Sequence, residues 1–210
     1  MARYIGPVCR LCRREGEQLF LKGARCYSEK CAFKRRSFQP GQHGSSRMRK
    51  KETGYETQLR AKQKVKRTYG VLESQFRKYY EIASRKGGNS GVNLLHQLET
   101  RLDNVAYRMG FGISRAQTRM WVTQGHFEVN GRKCNIPSYQ LKPNDQVKVA
   151  ENSKLRTAIK DNLEMNSNRE VSDWLSVDGD KLSGTFLALP EREKLDPTIQ
   201  ENLIIEFYSR

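Results

Sequence analysis

The chain has 210 residues and lacks any apolar run long enough to cross a bilayer, and it has no basic helix with a Trp, Phe or Leu face that would lie on one. Its first residues, Met1 to Pro7, lack the apolar stretch of a secretory signal, so cytoplasmic residence is expected, where thiols stay reduced. Heptads, internal repeats and low-complexity tracts are also missing, which argues against a zipper dimer or a solenoid. Only three histidines occur. His43 falls in a loop, His96 on a helix and His126 at a helix end, and no carboxylate pair or Ser/Cys constellation accompanies them, so hydrolytic catalysis has no evident machinery.

Acidic residues are scarce where basic ones are dense. The formal charge is +16, and apolar content of 36% against 30% charged residues leaves a thin core for a chain expected to lean on a partner. Residues 1–70 carry 19 Lys and Arg against 5 Asp and Glu, net +14. Residues 71–150 have 12 against 6, and residues 151–210 have 8 against 12. A polyanion is the natural counterpart of the first third. With membrane features absent, that polyanion is nucleic acid.

Four of the five cysteines gather near the start as Cys9, Cys12, Cys26 and Cys31, two close pairs separated by a loop. In a reducing compartment that spacing suits tetrahedral thiolate ligation, and one zinc ion is expected, with an iron–sulfur cluster as the alternative because its ligand set is the same. Cys134 stands apart and is expected to take no part. The Gln39 to Ser46 loop, with Pro40, Gly41, His43 and Gly44, leads into Arg47, Arg49 and Lys50, where phosphate contact is expected. Helices follow over Tyr55 to Arg67 and Ser74 to Ser84. A flexible basic link, Arg85 to Gly91, precedes the central stretch.

Residues 101–149 read as a small module. Leu102, Val105 and Met109 continue Leu95 and Leu98 at helical steps, and Arg101, Asn104 and Arg108 share a neighbouring stripe with almost no acid among the basic groups. Gly110 ends that helix, and Ser114 caps a second one running to about Gln124, with Arg115 and Arg119 on one face near its N-terminus, where backbone N–H groups favour phosphate. Asn130 and Gly131 mark a tight hairpin followed directly by Arg132 and Lys133, and a second turn at Pro143 to Asp145 leads to another strand. The expected RNA surface is therefore Arg101, Asn104, Arg108, Ser114, Arg115, Arg119, Asn130, Arg132 and Lys133. Beyond the module, a helix is expected over Ser153 to Glu164, short strands over Val171 to Pro190, and a β-prone end at Leu203 to Tyr208, packed on the helices of 46–90.

The run Arg101 to Val105, Ser114 and Arg115, Gly125 and His126, Val129 to Gly131 and Pro143 to Asp145 resembles the S-four-type RNA-binding module, departing from it at Thr118, Met120 and Trp121. Outside the module, the four cysteines, Pro40 to Gly44, Lys62 to Lys64, Trp174 and Leu175 and the closing Glu206 to Arg210 extend the resemblance to the bacterial-type small-subunit ribosomal S-four family over essentially the whole chain. The resemblance implies binding to the five-prime domain of small-subunit ribosomal RNA, nucleation of subunit assembly and a place on the messenger RNA entry path beside the third and fifth small-subunit proteins. It also implies an influence on decoding accuracy and possible repression of its own messenger. His43, Arg47, Arg49 and Lys50 are the expected messenger or phosphate contacts. No small-molecule substrate is expected. The expected architecture is α+β: a metal-binding segment 1–45, a helical domain 46–96 completed by 166–210, and a helix-turn-helix plus β-ribbon RNA-binding module 97–165. An RNA-modifying enzyme sharing the module would need a catalytic domain for which the flanks are too short and too basic. A zinc-dependent DNA regulator would need a dimerisation helix.

Overall fold

The computed structural model describes residues 3–45, 53–166 and 172–209. In chain order the helices are α1 (Cys9–Glu15), α2 (Ala24–Tyr27), α3 (Ala32–Arg35), α4 (Gly54–Thr68), α5 (Glu73–Arg85), α6 (Ser90–Glu99), α7 (Leu102–Arg108), α8 (Arg115–Thr123), α9 (Arg156–Met165) and α10 (Glu201–Tyr208). The strands are β1 (Phe127–Val129), β2 (Arg132–Lys133), β3 (Gln146–Val149), β4 (Leu175–Asp178) and β5 (Ser183–Phe186). Two compact units result, one of residues 1–95 with 196–210, the other of residues 96–195.

The first unit is helical. Thr53 caps α4 by accepting the Glu56 N–H at 3.2 Å, and α10 lies along α4. That end of the chain was expected as strand; it is helix, because Leu203, Ile204, Phe207 and Tyr208 recur at steps of three and four and so present one face to α4. The seam is polar as well as apolar. Gln58 donates to Glu206 at 2.9 Å, the Lys62 ammonium lies 4.6 Å from the Phe207 ring centre, and the rings of Tyr80 and Tyr208 stack at 4.7 Å. Glu73 accepts from Lys62, Lys66 and the Tyr208 hydroxyl at 2.7–2.8 Å. Glu15, at the end of α1, pairs with Arg60 at 3.2 Å and with Arg67, which ties the cysteine-bearing segment to α4.

The second unit is built on an antiparallel sheet of order β2-β1-β3-β5-β4. Its core joins Val105, Phe111 and Val122 to Phe127, Val147 and Phe186. The short strands expected after Val171 form as β4 and β5, but they extend the sheet through β3 (Gln146 opposite Thr185, Val147 opposite Gly184) instead of joining the helices. The apolar period running from Leu95 to Met109 does not give one helix. Arg101 is extended and bridges Gln140: Leu141 N–H bonds the Thr100 carbonyl, and Leu102 N–H bonds the carbonyl of Tyr139, at 2.9 Å each. That backbone pairing breaks the helix into α6 and α7.

Candidate nucleic-acid interface

The break at Thr100 decides where the charged side chains go. Glu99 ends α6 fully buried, and Arg108, nine residues on, grips it with two bonds of 2.7 and 3.2 Å. A continuous helix would have set this pair about two and a half turns apart and on opposite faces. Asn104 donates to the Glu99 carboxylate at 2.6 Å and to its carbonyl at 3.0 Å, and its own carbonyl oxygen accepts from Arg115 Nε at 2.8 Å. The Arg115 guanidinium lies 4.6 Å from the Tyr107 ring centre, a cation–π contact that holds it flat.

Asp103 organises the other side. Arg101 binds it through a fork of 3.0 and 2.7 Å, and Arg119 reaches the same carboxylate at 3.1 Å. Thr118 is buried, and its hydroxyl lies 2.9 Å from the Asp103 carbonyl, joining α8 to α7. Ser114 caps α8, accepting the Gln117 N–H at 3.3 Å. Two acidic side chains therefore sit inside a group of basic residues that the sequence reading took to be nearly free of acid. Arg101 needs a further correction. It is 1% exposed and its fork binds Asp103, so its guanidinium is turned into the protein and not out to the surface where it was expected.

Sequence reasoning missed Glu99, Asp103 and Tyr107 as partners. Asp103 lies two residues from Arg101 and sixteen from Arg119, spacings without meaning until the α6–α7 break and the α7–α8 turn are known. Their burial is consistent with charge in a core only because every carboxylate is paired.

The hairpin forms as expected, with Asn130 at φ 50° and Gly131 at φ 74°, a turn that disfavours any side chain bulkier than Asn. Arg132 and Lys133 are exposed. Asn130 clasps the second turn: its amide donates to Asp145 at 2.8 Å and its carbonyl oxygen accepts Gln146 N–H at 2.9 Å. The stem of Lys133 packs over Gly125, where an added Cβ would stand 2.4 Å from the Lys133 Cε. Arg132 and Lys133 therefore sit by the C-terminal end of α8, about 14 Å of helix from Ser114. The expected surface is two clusters, Arg108, Arg115 and Arg119 with Asn104 in one and the hairpin pair in the other. A hollow beside the hairpin, about 570 Å³, is lined by Arg132, Lys133, Cys134, Ile136 and Tyr139 among others.

In the first unit the sulfurs of Cys9, Cys12, Cys26 and Cys31 lie near enough to act on one another electrostatically. Lys22 N–H bonds the Cys26 sulfur at 3.3 Å, and the Gln18 amide bonds that of Cys31 at 3.2 Å. Burial, reinforced by the neighbouring sulfurs, pushes the Cys12 and Cys26 thiols up. At Cys31 burial acts in the same direction, but backbone N–H bonds from Lys34 and Phe33 and the Gln18 amide prevail and lower it. Among the described residues no three His, Cys, Asp or Glu side chains form a group able to hold a metal ion. The expected metal knuckle is therefore not shown, although Cys12, Cys26 and Cys31 are buried together in the same segment. Cys134 packs against the core of the second unit. His43 is exposed in its loop, and the expected contacts Arg47, Arg49 and Lys50 lie outside the described residues.

Residues 3–99 match the ribosomal protein S4/S9 N-terminal domain, and residues 100–147 match the S4 domain. Over all 210 residues, and the whole of each relative, the chain is 58% identical to small ribosomal subunit protein uS4A of Alkaliphilus oremlandii. On the same full coverage it is 53% identical to uS4 of Thermus thermophilus and 55% to uS4 of Geobacter sp.. The chain belongs to the small ribosomal subunit protein uS4 family. Its place is structural, in the small ribosomal subunit, and the enzymatic rival falls with that membership. Among the described residues no helix is long and apolar enough to cross a membrane.

Proposed function

We propose that this uS4 family member grips folded small-subunit ribosomal RNA in the cytoplasmic ribosome by shape, through Arg108, Arg115 and Arg119 at the α7–α8 turn and Arg132 and Lys133 at the hairpin. The observation that carries the reading is the fixing of the first cluster: Glu99 holds Arg108, Asp103 holds Arg119, and the Asn104 amide oxygen with the Tyr107 ring holds Arg115 in set directions before RNA arrives. A preset array of donors fits one arrangement of phosphates and hydroxyls. The deep major groove of an RNA helix excludes the base-reading use that a helix-turn-helix has on DNA. Arg101 acts through Asp103 and touches no RNA. Charge reversal at Arg115 tests the reading: Arg115→Glu should weaken binding to the transcribed five-prime domain by about 1.5–3 kcal/mol with unchanged circular dichroism. Reversal of Glu191, an exposed residue in the acidic last third, should weaken it far less.

The finer parts of the reading rest on family membership: the five-prime domain as target, nucleation of assembly, neighbours in the third and fifth small-subunit proteins, and an influence on accuracy. Messenger contact through His43, Arg47, Arg49 and Lys50 and repression of the chain's own messenger have the same support. Cys9, Cys12, Cys26 and Cys31 belong to it too, as thiolates around one zinc ion or, alternatively, an iron–sulfur cluster. Their spacing supports this, as do the N–H bonds to the Cys31 sulfur, which lower that thiol. Such an ion would close a segment too small to hold itself together by apolar burial. Metal analysis should find one site that Cys26→Ser loses and Cys134→Ser keeps; equal content in the two variants would reject the assignment.

A further inference from the structure

Asn130 and Gly131 form the chain's single Asn-Gly pair. Glycine has no Cβ to shield its backbone nitrogen, so in an open chain that nitrogen reaches the side-chain amide carbon of a preceding asparagine more readily than any other residue's does. Both residues are exposed at the hairpin tip, and no atom lies within 4 Å of where a Gly131 Cβ would stand. A ring closed there meets no wall.

What stands in the way is the clasp on the second turn. Asn130 Nδ2 donates to Asp145 at 2.8 Å, and Asn130 Oδ1 accepts the Gln146 N–H at 2.9 Å. The backbone is pinned alongside, with the Asn130 N–H donating to the Gln146 carbonyl at 2.9 Å. Asp145 is itself anchored: its other carboxylate oxygen accepts the Lys142 N–H at 2.7 Å, and its carbonyl accepts the Phe186 N–H at 2.9 Å. Both ends of the Asn130 amide are therefore turned toward residues 145 and 146, and the nitrogen that would have to leave is the one Asp145 holds.

We propose that Asn130 is a site of self-modification, deamidation through a succinimide, and that Asp145 is the residue that restrains it. The Gly131 nitrogen bonds to Asn130 Cγ, the Cγ–Nδ2 bond breaks, and ammonia leaves with the proton from Gly131. Water then opens the ring at one of its two C–N bonds. Opening at Cγ gives aspartate; opening at the main-chain carbonyl gives isoaspartate, with the chain running through the former side chain. No electrons change hands. Either product undoes the clasp, because the donor to Asp145 becomes a carboxylate and two like charges face each other where a hydrogen bond was. Isoaspartate also lengthens the backbone of a two-residue turn, which then no longer matches the β1–β2 pairing. The added negative charge stands beside Arg132 and Lys133 and opposes their attraction for an anion.

The test follows the full chain in mildly alkaline buffer by peptide mapping that separates aspartyl from isoaspartyl forms. It also separates this peptide from that of Asp178 and Gly179, which can isomerise but releases no ammonia. Asn130 should be modified about tenfold or more faster in urea than in the folded protein, the effect of losing a hydrogen bond to a charged group. Asp145→Ala, shown to be folded by circular dichroism, should approach the urea rate. Should that variant not fold, Asp145→Ser, whose hydroxyl can still accept the Lys142 N–H, is measured with the same expectation. A folded variant modified only at the native rate overturns the role of Asp145. Equal rates for the native chain in buffer and in urea overturn the clasp, and an intact Asn130 in the urea-treated chain overturns the site.

Discussion

Cations of the central module and cations of the N-terminal segment are set up in opposite ways. Around α7 and α8, Arg101, Arg108 and Arg119 are tied to buried carboxylates, so much of their charge is met inside the protein, and Arg115 is aimed by the Asn104 amide oxygen and the Tyr107 ring. In the N-terminal segment Arg13 on α1 and Arg25 on α2 are aimed by backbone carbonyls, Arg13 also by the Phe38 ring, and among the described residues no carboxylate pairs with Arg13, Arg25, Lys30, Arg35 or Arg36. The first arrangement favours recognition of one shape; the second favours attraction to any dense line of phosphates. Net charge, +14 in residues 1–70 against +6 in 71–150, registers the difference in amount and misses the difference in kind.

The comparison breaks most sharply at Glu99. Glu99→Ala leaves Arg108 and Asn104 without their buried acceptor and should destabilise the second unit by about 3–5 kcal/mol, read by thermal unfolding of the full chain. A loss under about 1 kcal/mol would mean that the network contributes little to the fold. Next in size is Arg115→Glu, expected to reduce RNA affinity by about 1.5–3 kcal/mol while the melting temperature moves much less than in the Glu99 variant. Smaller again is an acid effect at the α4–α10 seam. Burial raises the Glu73 carboxyl, but bonds from Lys62, Lys66 and Tyr208 prevail and bring it to about 2 from 4.5. A carboxyl lowered in the folded state adds stability that is complete above its unfolded value and is lost as pH falls from 4.5 toward 2. The side chain is 45% exposed, which screens the effect. Native protein should therefore lose slightly more melting temperature than Glu73→Gln between those pH values, and parallel curves would remove the seam as the cause. At the bottom of the scale, Arg36→Gln should change stability by less than about 0.5 kcal/mol, Arg36 being exposed and having no carboxylate partner among the described residues.

Much of this was legible in the residues. Ser114 as a cap, Asn130 and Gly131 as a hairpin turn and the helical periods of α4 and α5 are local signals, and each formed where its chemistry requires. What failed depended on contacts distant in sequence. Thr100 pairs with Leu141, and that pairing cuts a continuous apolar period into two helices. Leu203 to Tyr208 has β-prone composition but a helical spacing of apolar groups, and packing on α4 decides in favour of the spacing. For the candidate site the basic residues were readable and their partners were not, since Glu99 meets Arg108 only because the helix breaks between them. Arg13, Arg25, Lys30, Arg35 and Arg36 were visible as charge, but that they line one hollow of the first unit depends on how the cysteine-bearing segment folds.

The most direct test of the central claim is competition for the full chain, at about 150 mM salt, between the folded five-prime domain of small-subunit ribosomal RNA and duplex DNA of equal length. Phosphate attraction alone treats the two polyanions nearly alike. With the α7–α8 arginines preset for an RNA junction, the folded RNA should displace the DNA at sub-stoichiometric amounts in the native protein, and Arg115→Glu should narrow that preference. Equal competition by the two nucleic acids would contradict recognition by shape and leave charge as the whole of the interaction.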